Sequence, residues 1–347
     1  MRIRILVFSL LLVGLWTGCG QKASVPADPQ PTTQPAEPQR IAQSVTRRTW
    51  KHVHAEELPL SDRFARHIYA PNWLKIYRDM LFVVDWGDVT IKRFTLDGIL
   101  ETVYGKDKGQ GPGEIQGIFD WHVQPDSQLF IIDLNTRKFY AFDGRGVPLR
   151  TVALQACLPY RMAGLNARRL VLWCLMSDPM FLELTPEGEE VRRFGKILDE
   201  HVEHAYLALE GRMFSRPEGG FVFVPRLASY LYFFDAEGVL ETIVRTLDGL
   251  EYPLDRLKKS RVSADDLVQP VHQYVIHFTE DAFWLQVGIR PSGGGKRVWA
   301  WDRYDRQTMQ YTYSIEQPIS GWGGWYQDRL YVAEDTTIRV FQLQIEE

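Results

Sequence analysis

Cysteine is scarce in this chain. Three occur in 347 residues, at Cys19, Cys157 and Cys174, with no Cys-x-x-Cys pair and no Cys/His spacing of a zinc site. An excess of positive charge is missing too. Forty Lys and Arg stand against 44 Asp and Glu, for a net charge of −4, so no basic field is available to hold a nucleic-acid backbone. Beyond Thr46 no apolar run approaches the roughly 20 residues that a membrane-spanning helix needs. Short catalytic signatures are also absent: there is no His-Glu-x-x-His, no Gly-x-Ser-x-Gly elbow and no phosphate loop ending Gly-Lys-Ser/Thr. These gaps favour a binding protein over an enzyme, with no cofactor and no metal expected.

What is present starts at the N-terminus. Arg2 and Arg4 precede an apolar run from Ile5 to Trp16, too short to span a bilayer and of the form of a secretory signal. The run ends Leu15-Trp16-Thr17-Gly18-Cys19, which resembles a bacterial lipobox, with Trp16 standing where such motifs prefer Leu. The resemblance implies a signal peptide over residues 1–18 and a lipid on Cys19. Gly20, where Asp would retain a lipoprotein in the inner membrane, implies the outer membrane by the enterobacterial sorting rule. The stretch VPADPQPTTQPAEPQ is too poor in apolar residues to fold and is held extended by proline, so residues 19–44 read as a tether. Cys157 and Cys174 flank a turn at Asn166-Ala167-Arg168 and read equally as a disulfide across a hairpin or as two buried thiols.

The folded part is repetitive. LFVVDWGDVTIKRFTLDG (81–98) and LFIIDLNTRKFYAFDGRG (129–146) share Leu, Asp, Phe and Gly positions 48 residues apart. A fixed long period means stacked supersecondary units. Further copies read LVLWC/FLELTPEG, FVFVP/LYFFDAEG, AFWLQV/VWAWDRYDR and RLYVAED/IRVFQLQ. Turns at Thr95–Gly98, Phe142–Gly146, Thr185–Gly188 and Asp235–Gly238 separate strands, with Asp to cap and Gly to turn. An innermost strand precedes each copy: NWLKIY, DWHVQ, YRMAGL, GRMFSR, QYVIHF and SGWGGWY. Six four-stranded antiparallel units of about 50 residues predict an all-β, six-bladed propeller over residues 45–347. The last unit lacks its outer strand, and TWKHVHAEEL (49–58) is expected to supply it and close the ring. WD40 signatures are absent, and the Gly219-Gly220 pair begins a strand where a kelch pair would end one. Residues 247–270 have helical spacing at Leu250, Leu254 and Leu257 and read as an insertion, either an ornament or a flap.

The segment Tyr104-Gly105-Lys106-Asp107-Lys108-Gly109-Gln110-Gly111-Pro112-Gly113-Glu114-Ile115, followed by a strand with Asp and then LFIID, resembles the six-bladed propeller lipoproteins of Bacteroidetes-type bacteria, relatives of NHL-repeat propellers. The resemblance is strong over 81–150, weaker over 170–245 and poor in the fifth unit. It implies fold and cellular address rather than chemistry. The glycine loop itself reads as a required turn, with an anion-binding rim as its second reading.

Ligands of propellers gather where the inner strands line the channel mouth. The candidate binding residues are therefore Asn72, Trp73, Asp120, Trp121, His122, Arg161, Arg216, His272, Trp322 and Trp325, beside Gln273. Tryptophan faces with Arg and Asp suit a carbohydrate or a peptide, and tryptophans also pack between blades. Asp85 and Asp133 are expected to cap the loops that follow them. The run Asp199–His204 lacks metal-site spacing, and Arg290–Arg297 reads as a hairpin loop. The alternative function is a metal-dependent propeller hydrolase or lyase using Asp120, His122 and His272. A third reading is an assembly subunit that offers its blade edges to a protein partner.

Overall fold

The structure is a computed structural model. It describes residues 37–346 apart from 107, 110, 112, 156, 176, 199–204, 259–268 and 291–294. The signal, Cys19, most of the tether, the Asp199–His204 run and parts of five further loops lie outside the described residues.

The chain enters through β1 (Gln39–Ile41), β2 (Val53–Leu58) and one turn of helix, α1 (Ser61–Ala65). Blade 1 follows as β3 (Pro71–Tyr77), β4 (Met80–Asp85), β5 (Thr90–Thr95) and β6 (Leu100–Tyr104). Blade 2 is β7 (Asp120–Val123), β8 (Leu129–Asp133), β9 (Lys138–Phe142) and β10 (Pro148–Ala153). Blade 3 is β11 (Leu158–Asn166), β12 (Arg169–Leu175), β13 (Phe181–Leu184) and β14 (Glu190–Phe194), and α2 (Ala205–Ala208) comes next. Blade 4 is β15 (Gly211–Ser215), β16 (Phe221–Pro225), β17 (Tyr230–Phe234) and β18 (Leu240–Arg245), followed by α3 (Leu254–Leu257). Blade 5 is β19 (Val271–Phe278), β20 (Ala282–Ile289), β21 (Val298–Asp305) and β22 (Tyr311–Glu316). Blade 6 has only β23 (Trp322–Tyr326), β24 (Arg329–Glu334) and β25 (Thr337–Ile345) from the C-terminal end, and β2 completes it. All six expected inner strands are found, and β2 pairs antiparallel with β25 from Val53↔Ile345 to Leu58↔Val340.

The unbroken apolar runs have a physical reason. Alternate residues of a strand point to opposite faces, and here both faces are covered by a neighbouring blade. On β4, Leu81 and Val83 pack towards blade 6, while Phe82 and Val84 pack towards blade 2. On β8, Leu129 and Ile131 face blade 1, while Phe130 and Ile132 face blade 3. The same division holds on β12, β16, β20 and β24. Each interface between adjacent blades therefore holds one apolar cluster. Aromatics fill them, as in the Phe221–Phe234 stack (4.4 Å) and the Phe283–Tyr304 stack (4.9 Å).

The turns follow the sequence reading. Gly98 and Gly146 adopt φ of +84° and +81°, and the Asp143 carboxylate accepts the Arg145 and Val147 amides. Asp85 and Asp133 do more than cap. Each ties its own turn to the loop that enters its blade: Asp85 accepts amides of Gly87, Tyr69 and Ala70, and Asp133 those of Asn135 and Gln116. Cys157 and Cys174 form a disulfide, with Cα atoms 5.4 Å apart, between the start of β11 and β12. Within the described part of 247–270 the helical reading is met by α3, whose Leu257 is buried with Ala208 of α2, and residues 259–268 of the segment lie outside the described residues.

The segment before β2 differs from a free tether. β1 pairs in parallel with β18 at the outer edge of blade 4. Thr49 and Lys51 exchange backbone hydrogen bonds with Ser314 on blade 5, and β2 then joins blade 6. The strap thus crosses three blades. Its deepest anchor is Arg48, whose guanidinium donates two bonds to Asp248 (2.7 and 2.6 Å) and two to Asp302 (2.9 and 2.8 Å). Burial opposes its charge, but the two carboxylates outweigh burial and raise its pKa. Removing one member of a buried ionic group leaves its partners uncompensated. Arg48→Met should therefore lower stability by about 3–5 kcal/mol. Arg339→Ala, which breaks a more exposed pair with Glu57 on the same strap, should lower it by about 0–1 kcal/mol. Urea unfolding of the two variants checks this; equal losses would remove Arg48 from its role as anchor.

Candidate functional site

The inner strands converge on a central channel and run side by side in one direction. Contacts between their starts (Arg161 to Gly211) and between their ends (Gly164 to Ser215) fix this. The channel has two chemically different ends.

At the C-terminal ends lies a cavity of about 580 Å³, with wall residues from all six inner strands. Leu74, Met162, Met213 and Ile276 supply apolar surface, and Lys75, His122, Gln124, Ser215 and His277 supply polar groups. Gly164 lets β11 approach the His122 ring; a Cβ there would meet Nε2 at 2.4 Å. The Ser215 hydroxyl accepts the Gly164 N–H (2.8 Å) and lies 3.3 Å from His122 Nδ1, within reach of a shared proton. This is the connectivity of a nucleophile and a base. However, burial first and the Lys75 charge second pull His122 down to about 3, so it is a weak base, and among the described residues no carboxylate bonds to its ring.

The two ends meet at Lys75. Its ammonium donates to the Trp121 carbonyl (2.5 Å), lies 3.3 Å from Asp120 Oδ1 and sits 4.6 Å over the Trp121 ring. Burial lowers its pKa, Asp120 opposes this, and the like charges of Arg212 and Arg161 add to it. The second oxygen of Asp120 accepts the Met162 amide (2.9 Å).

The mouth at the N-terminal ends is aromatic and cationic. The Arg212 guanidinium lies 4.1 Å from the Trp73 ring and 4.9 Å from the Trp322 ring. Trp322 meets Tyr274 edge-on at 5.0 Å, Tyr274 packs on Trp299 at 4.8 Å, and Trp73 meets the exposed Trp86 at 6.3 Å. Arg161 acts as a clamp, donating to the carbonyls of Phe119, Tyr160 and Gly211 and so joining blades 2, 3 and 4. His272 is buried with Nε2 unpaired, and burial together with Arg226, Arg297 and Arg290 pulls it down to about 3.

The expected site residues therefore divide. Asn72, Trp73, Arg161, His272 and Trp322 gather at the N-terminal mouth; Asp120 and Trp121 form the girdle with Lys75; His122 faces the cavity. Arg216 is in the wall of the cavity, at the opposite end from the mouth, and is paired with Glu218 and Glu241. One residue belongs elsewhere. Trp325 is packed between blades 5 and 6 against Trp284 (5.3 Å) and Trp301 (5.9 Å), because its position on β23 faces the neighbouring blade. Gln273 is committed to the carbonyls of Pro225 and Ala228. In the glycine loop the Gly111 N–H is already taken by the Glu114 carboxylate (2.8 Å), whose charge would repel an anion. The residues not anticipated are Arg212, Lys75, Ser215, His277 and Trp86. A cation in the middle of an innermost strand, as in NWLKIY and GRMFSR, is the signal that was available for the first two.

As a divalent-metal site the expected trio does not fit. Asp120 is occupied by Lys75 and two amides, His122 by Ser215, and His272 stands among arginines. Among the described residues no group of three or more His, Cys, Asp or Glu side chains is placed to hold a metal ion.

No protein-family model matches the chain, and none of the curated proteins matches it. Solved structures do share the fold. A protein from Bacteroides fragilis described as exported has a TM-score of 0.59 at 12% identity, over 89% of this chain and 99% of that one. A member of the DUF4221 family from Bacteroides vulgatus has a TM-score of 0.53 at 9% identity, over 88% and 99%. Virginiamycin B lyase from Staphylococcus aureus has a TM-score of 0.51 at 11% identity, over 84% and 99%. At such identities the likeness is one of fold.

Burial also pulls His277 down to about 4. A histidine whose folded pKa lies below its unfolded value near 6.5 is stabilising while neutral. As pH falls through about 6.5, the unfolded chain takes up protons that the folded chain refuses, and stability drops. Carboxylates act lower, near pH 4 and below. The melting temperature should therefore fall steadily from pH 7 to pH 4.5, and His122→Gln and His277→Gln should each flatten that slope. A melting temperature constant over this range would contradict neutral burial of these rings.

Proposed function

We propose that this chain is a lipid-anchored cell-envelope propeller that acts as a binding module, its ligand entering the central channel. The observation that carries the reading is the channel itself: an open cavity of about 580 Å³ reached by all six blades, with an aromatic, cationic mouth at its other end. Such a concave surface with a few convergent polar groups is the usual form of a small-ligand site. The envelope address is supported by the basic, apolar start ending at Cys19, by the Cys157–Cys174 disulfide and by the exported Bacteroides neighbour. The lipobox and the glycine-loop motif support a place among the six-bladed lipoproteins. The metal-dependent hydrolase or lyase reading is the weaker one, because the residues it needs are engaged in other bonds.

Two experiments test this. Cys19→Ala should move the expressed protein from the membrane fraction to the soluble fraction; retention in the membrane would remove the lipid anchor. Thermal unfolding against organic acids, neutral sugars, peptides, Ca²⁺ and Zn²⁺ should give a shift of a few degrees with an organic ligand, since a ligand at about 100 times its Kd adds about 2.7 kcal/mol. Shifts with metal ions alone would favour the enzyme.

A further inference from the structure

Arg212 is unusual among the charged groups of this protein. It lies on the inner strand β15, partly buried, with no hydrogen-bond acceptor and no carboxylate partner among the described residues. Its contacts are the rings of Trp73 and Trp322. Burial and the nearby Arg161 charge pull its pKa down to about 9, only partly offset by Asp120. An uncompensated charge in a poorly solvated place opposes folding, and evolution commonly replaces it or pairs it. Asp120 is engaged by Lys75, and Glu210 is engaged by Arg226. Arg226, Arg290 and Arg297 add further positive charge around Tyr274 and His272. A chain of net charge −4 thus carries a locally positive mouth. Trp73, 7% exposed, also holds its indole Nε1–H buried without an acceptor. Arg212 and Trp73 thus both present N–H groups that have no acceptor among the described residues.

We propose that this mouth is a carboxylate site: the N–H edge of Arg212, braced by Trp73 and Trp322, receives the carboxylate of an organic acid whose ring or apolar body rests against Trp86. The proposal rests on the binding-module reading and adds to it the class of ligand and the end of the ring that takes it. A carboxylate suits the site because a guanidinium with aromatic neighbours keeps its in-plane N–H fork free for two parallel bonds. Trp86, 53% exposed beside Trp73, offers a flat apolar surface at the rim. Cation–π contact with two tryptophans orders the guanidinium without neutralising it.

The test is saturation-transfer NMR on the purified full chain with two carboxylates, phenylacetate and glucuronate, each beside its neutral amide. The expected result is transfer to the acids, little to the amides, and loss of the acid signal in Arg212→Gln. Stability of Arg212→Met without ligand is the second measurement. An arginine kept for a ligand should leave the melting temperature unchanged or higher when replaced, whereas one kept for structure should lower it by several degrees. Equal transfer to acids and amides, acid binding that survives Arg212→Gln, or a clear fall in the melting temperature of Arg212→Met would overturn the carboxylate site. If neutral sugars or peptides bind while both acids stay silent, the carboxylate site fails and the binding module stands. If nothing binds, both fail.

Discussion

Each blade of this protein is apolar on both faces, and that constraint governs the rest of the structure. A sheet with two sticky faces needs two neighbours, so a row of such sheets is stable only when it closes on itself. The last interface is as well filled as the others: Leu74, Leu81, Val83 and Phe94 of blade 1 meet Tyr331, Ile338 and Val340 of blade 6, with Phe64 of α1 packed among them. Closure falls to a strap from the opposite end of the chain. It fastens to blades 4 and 5 before it supplies the outer strand of blade 6, so the first and last segments of the fold are held together by hydrogen bonds rather than by packing alone. Arg48 bonds both Asp248 after blade 4 and Asp302 within blade 5, which makes the strap part of the ring.

Closure also makes the channel. The inner strands are the only ones with an edge facing the axis, and there the apolar rule relaxes. Lys75, Asp120 and Trp121 form a polar girdle that separates two environments. On one side a cavity holds two histidines kept neutral by burial; on the other, arginines and tryptophans crowd the mouth. The inner-strand polar groups on the cavity side mostly bond one another. On the mouth side Arg161 and Gln273 bond to backbone carbonyls and His272 to Tyr274, while Arg212 has neither an acceptor nor a carboxylate partner among the described residues. Unsatisfied charge located at an opening is the pattern of a surface completed by something else.

Much of the architecture was legible because it rests on short-range chemistry repeated in register. The LFVVD and LFIID runs, the Asp-x-x-Gly turns and the 48-residue spacing fix strands and turns locally, and the missing sixth outer strand pointed to residues 49–58. The full reach of the strap was less visible. Gln39–Ile41 look like tether, and only their pairing with β18 shows otherwise. The site was legible in part. Trp73, Arg161, His272 and Trp322 are found at one mouth, but Trp325, three residues from Trp322 on the same strand, points to the opposite face and turns into the blade interface. Arg212 was overlooked because its importance lies in lacking a partner, and a missing partner is a property of three-dimensional neighbours. The disulfide, equally readable as two thiols, was settled by the hairpin register that sets Pro159 opposite Cys174.

The protein thus joins a closed apolar ring, a strap that secures it and a channel whose mouth presents positive charge without its complement. The most direct measurement is a crystal structure of the protein grown with phenylacetate. The account predicts ligand density at the N-terminal mouth, with the carboxylate on the edge of Arg212 and the ring near Trp86, and the Trp73–Arg212–Trp322 arrangement unchanged. An empty mouth in which Arg212 has swung to a carboxylate of the protein itself would contradict it.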